Sequence, residues 1–219
     1  VFGLVPVQYA YFMAVQYGNA SIATILQFIG PFFIIAYQAM FRHLPPRRIE
    51  IISAIIAFLG VFIIATHGQF NHLAMTLSVL IWGLISAIGV ATNTLIPQNM
   101  LREGRVPSLI ITGWGLLFAG LTLVLIHPSQ PHIPNIPSVW LYVLGILVIG
   151  TLIPFQLANN SLKYIDATTF SLMDAFEPLS ATIGSVLIFH LQMTGADILG
   201  SILVIVAVLA INIRIPQKI

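Results

Sequence analysis

Long apolar runs separated by short polar or proline-rich connections are the dominant pattern in this sequence. A helix that crosses the hydrocarbon core of a bilayer needs about 20 mostly apolar residues, and the runs here approach or exceed that length. The runs are continuous rather than alternating, which favours helices over a membrane β-barrel. The pattern predicts an all-α polytopic membrane protein with eight transmembrane helices, at 1–17, 20–41, 49–66, 73–99, 106–126, 138–160, 167–189 and 196–213.

The composition excludes most soluble classes of protein. Hydrophobic residues make up 58% of the chain and charged residues 6%, whereas a soluble domain carries about 25% charged residues. Such a chain cannot build the surface of a soluble enzyme, and its few basic residues cannot form a nucleic-acid-binding face. The absence of cysteine from the sequence also excludes disulfides, thiolate nucleophiles and cysteine-based metal sites. The surroundings expected for this protein are therefore a lipid bilayer, without a nucleic-acid partner.

The basic residues support the count of helices independently. Lysine and arginine concentrate in cytoplasmic loops, and here all of them follow the second, fourth, sixth or eighth predicted helix. They are Arg42, Arg47, Arg48, Arg102, Arg105, Lys163, Arg214 and Lys218. This distribution predicts a multi-pass membrane protein with its C-terminus in the cytoplasm.

The sequence also matches itself at a constant offset of 147 residues, which pairs Tyr17 with Tyr164 and Pro31 with Pro178. The offset carries the first three helices onto the sixth, seventh and eighth, so matched helices cross the membrane in opposite directions. We therefore expect an inverted repeat of five plus five helices, with the first two of the ten preceding residue 1. The predicted divisions are the last three helices of the first repeat at 1–66, a connection at 67–72, the second repeat at 73–213 and a cytoplasmic tail at 214–219.

Two pairs of motifs carry a resemblance to a known family. They are Tyr17-Gly-Asn-Ala-Ser with Gln27-Phe-Ile-Gly-Pro31, and Tyr164-Ile-Asp-Ala-Thr with Asp174-Ala-Phe-Glu-Pro178. Together with the topology they resemble the EamA-type branch of the drug/metabolite transporter superfamily. The resemblance implies ten helices, two cytoplasmic termini and export of a small solute. One departure is Phe189-His190-Leu191-Gln192, because the family often has Gly-Glu after the ninth helix.

Two prolines and two carboxylates mark a candidate site within the membrane. Pro31 and Pro178 have no N–H to donate to the carbonyls of Gln27 and Asp174, which predicts a helix interruption in each repeat. Asp174 and Glu177 project from one face and should not both be charged in a low-dielectric setting. Our hypothesis is that at least one of them carries a proton during transport. Ordinary proline kinks and a structural carboxyl pair remain the alternatives.

Polar residues recur at helical spacing on several other predicted helices. A face that mixes amide, hydroxyl and aromatic groups suits a pocket for a small polar or amphipathic solute, although interhelical hydrogen bonds would explain the same residues. The residues expected along a substrate pathway are Tyr9, Gln27, Trp82, Asn93, Gln156, Asn159, Asp174 and Glu177. The histidines lie in or beside connections, and we expect neither a metal site nor a cofactor.

These features favour a secondary active transporter for a small metabolite, amino acid or drug-like solute, working by alternating access. Export and proton coupling are the finer expectations. The alternatives are a membrane-embedded enzyme and a non-transporting structural membrane subunit. The sequence offers no nucleophile–base arrangement and no phosphate-binding glycine loop. A homo-oligomer is left open, because helix faces toward lipid and toward a partner are alike in composition.

Because the chain has no cysteine, introduced cysteines test the predicted orientation directly. We expect Glu103→Cys, in a predicted cytoplasmic connection, to react with a membrane-impermeant maleimide only after cells are permeabilised. Pro128→Cys, in a predicted outer connection, should react in intact cells. Labelling of both positions from the same side would contradict the predicted topology.

Overall fold

All regular elements in the described part of the chain are helical. The structure, a computed structural model, describes residues 3–68, 76–104, 106–126, 128, 134, 136–190 and 194–212. The helices are α1 (Tyr11–Tyr17), α2 (Ala20–Gln27), α3 (Gly30–Phe41), α4 (Arg48–Thr66), α5 (Leu77–Arg102), α6 (Ser108–Ile126), α7 (Pro137–Leu147), α8 (Ile153–Ser161), α9 (Ala167–Met173), α10 (Phe176–Phe189) and α11 (Gly195–Asn212). A π-helical turn at Pro6–Ala10 leads into α1, and another at Val148–Leu152 joins α7 to α8.

Five helical segments are long and apolar enough to cross a membrane: Ala20–Phe41, Arg48–Thr66, Leu77–Arg102, Ser108–Ile126 and Pro137–Ser161. The prediction of an all-helical membrane protein is therefore confirmed. The other three predicted spans are also helical where they are described, but each is shorter or interrupted. The count of eight stays a prediction. Most of the predicted connection at 67–72 and the whole tail at 214–219 lie outside the described residues.

Side-chain caps set the starts of α2 and α9. The Asn19 side chain accepts a hydrogen bond from the Ile22 amide at 2.9 Å, and the Asp166 side chain accepts one from the Thr169 amide at 2.9 Å. Such caps satisfy amide groups that the first helical turn leaves without a partner. Asn19 and Asp166 are separated by the 147 residues of the predicted repeat.

Both predicted proline sites coincide with a break in a helix. α2 ends at Gln27 before α3 begins at Gly30, and α9 ends at Met173 before α10 begins at Phe176. Each proline lies in the first turns of the following helix, where its missing N–H costs least.

The structure corrects the expectation of a free carbonyl at Asp174. The Glu177 amide donates to the Asp174 carbonyl at 2.9 Å. The chain closes a tight turn at the break, so the donor comes from the residue before Pro178 rather than from the proline itself.

Two further local features recur at positions 147 residues apart. His43 and His190 both adopt a left-handed backbone, with φ of 53° and 55°. Beyond them, the Arg47 amide donates to the Glu50 carboxylate at 2.9 Å, and the Thr194 amide donates to the Asp197 carboxylate at 2.9 Å. These bonds cap the starts of α4 and α11 in the same way.

The largest buried cluster lies where α4 crosses α11 and meets α9 and α10. A Cβ added at Gly60 would lie 2.8 Å from the Gly200 carbonyl oxygen, and one added at Gly200 would lie 2.7 Å from the Gly60 carbonyl oxygen. The two backbones therefore approach closely, as small residues allow in helix pairs of membrane proteins. At the end of this crossing, His67 Nδ1 lies 2.7 Å from the buried carboxylate of Asp197.

The long helix α5 packs across the π-turn at Pro6–Ala10 and across α1, α2 and α3. Glycines make this contact close, because a Cβ at Gly83 would overlap Leu26 and one at Gly89 would lie 2.6 Å from the Val7 amide nitrogen. The segment Pro137–Ser161 buries none of its most apolar window within the structure. Its outer face is therefore available to lipid.

The glycine crossing predicts a difference between two matched substitutions. Gly60→Ala should destabilise the protein by about 1–3 kcal/mol, because the added methyl group overlaps backbone atoms of α11. Gly120→Ala should be neutral or stabilising, since nothing lies within 4 Å of its Cβ position and alanine favours the helix. Melting temperatures of the two variants in detergent test this, and equal values would contradict the close crossing.

Candidate functional site

A cavity of about 530 Å³ lies among the two interrupted helices and their neighbours. Its volume falls in the range of about 300–1,000 Å³ that is typical of small-molecule sites. The wall is formed by the π-turn before α1, by α1, α2, α3, α5, α8, α9 and α10, and by the breaks that follow α2 and α9. Both helix breaks therefore face the same space.

The lining contains two carboxyl groups. Asp174 lies at the break after α9, and Glu177 lies in the first turn of α10. No lysine, arginine or histidine is among the described residues that form the wall. Glu50 and Asp197 take part in ion pairs, and neither of them lines the cavity. The charge-bearing groups of the site are therefore both acidic.

A hydrogen-bond relay fixes Gln27 in the wall. Its side-chain Nε2 donates to Ser86 Oγ at 2.9 Å, and Ser86 donates to the Val7 carbonyl at 3.0 Å. Ser86 is fully buried on α5, and Val7 lies in the π-helical turn before α1. The relay therefore ties the end of α2 to α5 and to the turn.

A second relay holds Asn159 against α6. Its Nδ2 donates to Thr112 Oγ1 at 2.9 Å, and Thr112 donates to the Ser108 carbonyl at 2.9 Å. One turn earlier, Gln156 Nε2 donates to Ser108 Oγ at 3.1 Å. The Gln156 oxygen is buried, with no hydrogen-bond partner in the structure. The polar residues of α8 therefore serve two places: Asn159 lines the cavity, and Gln156 contacts α6.

The structure brings together five of the eight residues predicted along a pathway. Both prolines join them in the wall. The seven are Gln27, Asn93, Asn159, Asp174, Glu177, Pro31 and Pro178. Their roles in binding or proton transfer stay predictions.

Tyr9, Trp82 and Gln156 are outside the described wall. Tyr9 and Trp82 pack edge to face, with ring centroids 5.8 Å apart, and Gln156 turns toward α6. The π-turn at Pro6–Ala10 explains the position of Tyr9, because its wider turn places Gln8 rather than Tyr9 above Phe12 on the cavity side. The sequence analysis assumed ordinary α-helical spacing there.

The wall also includes polar residues that the sequence analysis did not select. Tyr11 and Thr24 lie 3.1 Å apart through their hydroxyl groups, and Ser171 lines α9. Thr24 and Ser171 are separated by 147 residues. Applying the repeat offset to the polar positions of α2 and α9 would have paired these two residues.

The same offset relates much of the wall. Seven pairs of lining residues are separated by 147 positions. They are Val7 with Pro154, Gln8 with Phe155, Tyr11 with Ala158, Phe12 with Asn159, Thr24 with Ser171, Gln27 with Asp174, and Pro31 with Pro178. Segments related by the 147-residue offset thus line the same cavity.

Comparison with known proteins identifies the family. The model of the EamA-like transporter family matches residues 1–66 and 77–213. The chain belongs to this family. Its membership agrees with the resemblance carried by the sequence motifs, and the family is one of transporters.

Curated relatives in bacteria and archaea are also named as transporters. An uncharacterized inner membrane transporter, YicL of Salmonella typhimurium, is 29% identical over 215 residues, covering 97% of this chain and 71% of the relative. The threonine/homoserine exporter RhtA of the same species is 22% identical over 218 residues, covering 96% of this chain and 68% of the relative. An uncharacterized transporter of Archaeoglobus fulgidus is 22% identical over 202 residues, covering 91% of this chain and 70% of the relative.

A solved crystal structure has the same fold. It aligns with a TM-score of 0.78 at 16% sequence identity, covering 96% of this chain and 72% of the other. At this identity the likeness concerns the arrangement of helices alone.

The cavity predicts a difference in chemical access along α5. In liposomes, Asn93→Cys should react with a small hydrophilic thiol reagent, because Asn93 lines the cavity. Ile88→Cys on the same helix should stay unmodified, since Ile88 is 50% exposed on an apolar face outside the cavity, where lipid excludes the reagent. Equal modification of both would contradict a hydrated cavity at this place.

Proposed function

We propose that this protein is a secondary active transporter that moves a small metabolite, amino acid or drug-like solute across the bacterial cytoplasmic membrane by alternating access. Export is the proposed direction, and a proton is the proposed coupling ion. Family membership supplies the class of protein, and the threonine/homoserine exporter among the relatives makes neutral amino acids the first solutes to test.

The observation that carries the proposal is the sequence relation among the residues that line the cavity. Seven pairs of lining residues are 147 positions apart, and the helix breaks after α2 and after α9 both border the same space. In an inverted repeat, equivalent segments open toward opposite faces of the membrane, so one central site gains two gates. The proposed architecture is eight membrane-crossing helices of a ten-helix inverted repeat, with the C-terminus in the cytoplasm.

Asp174 and Glu177 are the proposed proton carriers. Both line the cavity, Asp174 at the break between α9 and α10 and Glu177 in the first turn of α10. An ionised carboxylate within a membrane is costly without a cation, so proton binding and release can be tied to solute binding in the same space. The pair gives the transporter a means of using a proton gradient.

Counterflow in proteoliposomes tests the transport proposal. Vesicles containing the purified protein and unlabelled threonine should take up labelled threonine faster than protein-free vesicles, and the solute should be recovered unchanged. Chemical conversion of the solute would favour an enzyme. If neither exchange nor conversion occurred with neutral amino acids, the proposed solute class would be wrong.

Substitution of the carboxyl groups tests proton coupling. Asp174→Asn and Glu177→Gln should abolish uphill transport driven by a pH gradient, while at least one retains exchange at equal pH. Asp166→Asn is the matched control, because it changes an aspartate at the cap of α9 outside the cavity and asparagine caps equally well. Transport with an unaltered pH profile in both cavity variants would refute coupling through these residues.

A further inference from the structure

The balance of hydrogen-bond donors and acceptors in the cavity wall can be worked out from the partner to which each polar hydrogen is donated. A hydroxyl group carries one hydrogen, and a side-chain amide carries two hydrogens on nitrogen and accepts through oxygen. When a hydroxyl hydrogen is already donated to a backbone carbonyl, the oxygen can only accept further bonds. This rule settles the orientation of several polar groups in the wall.

Gln27 is oriented by Ser86. Ser86 donates its hydrogen to the Val7 carbonyl at 3.0 Å, so it can only accept from Gln27, which lies 2.9 Å away. The nitrogen of the Gln27 amide is therefore directed at α5. The oxygen of the same amide is left as the atom available to the cavity.

Asn159 is oriented in the same way by Thr112. Thr112 donates its hydrogen to the Ser108 carbonyl at 2.9 Å, so the Asn159 amide must present nitrogen to Thr112, at 2.9 Å. Thr112 is 2% exposed and lies behind Asn159 rather than in the cavity wall. Asn159 consequently also offers its oxygen to the cavity.

The hydroxyl groups of the wall add to this polarity. Thr94 donates its hydrogen to the Val90 carbonyl at 2.9 Å, and Ser171 donates to the Thr168 carbonyl at 3.0 Å. Tyr11 and Thr24 share one of their two hydrogens in the bond between them. The oxygens of Thr94 and Ser171 thus remain as acceptors.

The wall therefore presents more acceptors than donors; the donors left are the second amide hydrogens of Gln27 and Asn159 and one hydroxyl hydrogen of the Tyr11–Thr24 pair. The carboxyl groups of Asp174 and Glu177 join the oriented oxygens, and no cationic side chain is found in the described lining. The amides of Gln8 and Asn93 are the groups there that are free to present either end. Acceptors and anionic charge in a secluded site are stabilised by a solute that brings hydrogen-bond donors and positive charge.

We infer that the cavity selects solutes that carry a protonated amino group, with the ammonium seated at Asp174 and Glu177 and among the oriented oxygens of Gln27 and Asn159. This inference rests on the proposed function and narrows its substrate class to amines and amino acids. Solutes whose only charge is a carboxylate are rejected, because they place an anion against acceptors. Thr112 and Ser86 act as positioning residues for the two amides.

Three chemically related compounds test the inference. L-threonine carries both charges, L-threoninol retains the ammonium without the carboxylate, and N-acetyl-L-threonine retains the carboxylate without the ammonium. We expect threoninol to compete with labelled threonine in counterflow more than about tenfold better than N-acetylthreonine does, as hydrogen bonds to charged groups imply. Protein-free vesicles control for passive entry of the amine.

A binding measurement separates the inference from the transport proposal. The melting temperature of the protein in detergent should rise with threoninol and with threonine, and should not rise with N-acetylthreonine. Such stabilisation without any flux would support the inference and contradict transport. Equal stabilisation by all three compounds, none by threoninol, or preference for N-acetylthreonine would overturn the inference, whether or not flux occurs.

Two threonines on α6 supply a matched pair of variants. Thr112→Val removes the acceptor that holds the Asn159 nitrogen, so the amide can turn and donate into the cavity. The preference for threoninol over N-acetylthreonine should then fall several-fold. Thr122→Val removes a hydroxyl that also donates to its own helix, to the Phe118 carbonyl at 2.7 Å, but lies outside the cavity wall. Its preference should match that of the unaltered protein, and an equal loss in both variants would contradict the positioning role.

Discussion

The backbone in a membrane must satisfy its own hydrogen bonds, and this constraint governs where the present structure can depart from a regular helix. Irregular backbone at membrane depth is tolerated only where it is buried in protein or lines a hydrated space. The departures between Gln27 and Gly30 and between Met173 and Phe176 both meet one cavity. The two breaks and the cavity are therefore parts of one arrangement.

Pro31 and Pro178 allowed the place of the breaks to be predicted, because a missing N–H can be read from the sequence. The backbone hydrogen bonding at each break could not be predicted from the sequence in the same way. The chain satisfies the Asp174 carbonyl through the Glu177 amide, since a tighter turn is accessible to the backbone once the helix is interrupted. Whether a backbone carbonyl at the break finds an amide donor therefore depends on that local rearrangement and not on the proline alone.

The candidate site was predictable as far as helical periodicity held. Asn93 and Asn159 were found from polar spacing and Gln27 from its position before Pro31, and all three line the cavity. Tyr9 was misplaced relative to the wall because the π-turn at Pro6–Ala10 changes the phase of the helix, and single-sequence spacing carries no signal for such a turn. The orientation of the amides was also hidden, because it depends on hydroxyl groups of α5 and α6 that are distant in sequence.

The contact of α4 with α11 has a mechanical consequence. Gly60 and Gly200 bring the two backbones together, while His67 and Asp197 join the same helices at one end. A crossing this tight can rotate but has little room to slide or separate. In the proposed cycle this crossing would act as the pivot. A small change in the angle between α4 and α11 would then produce a larger displacement at the far ends of the helices, where an entrance to the cavity must open or close.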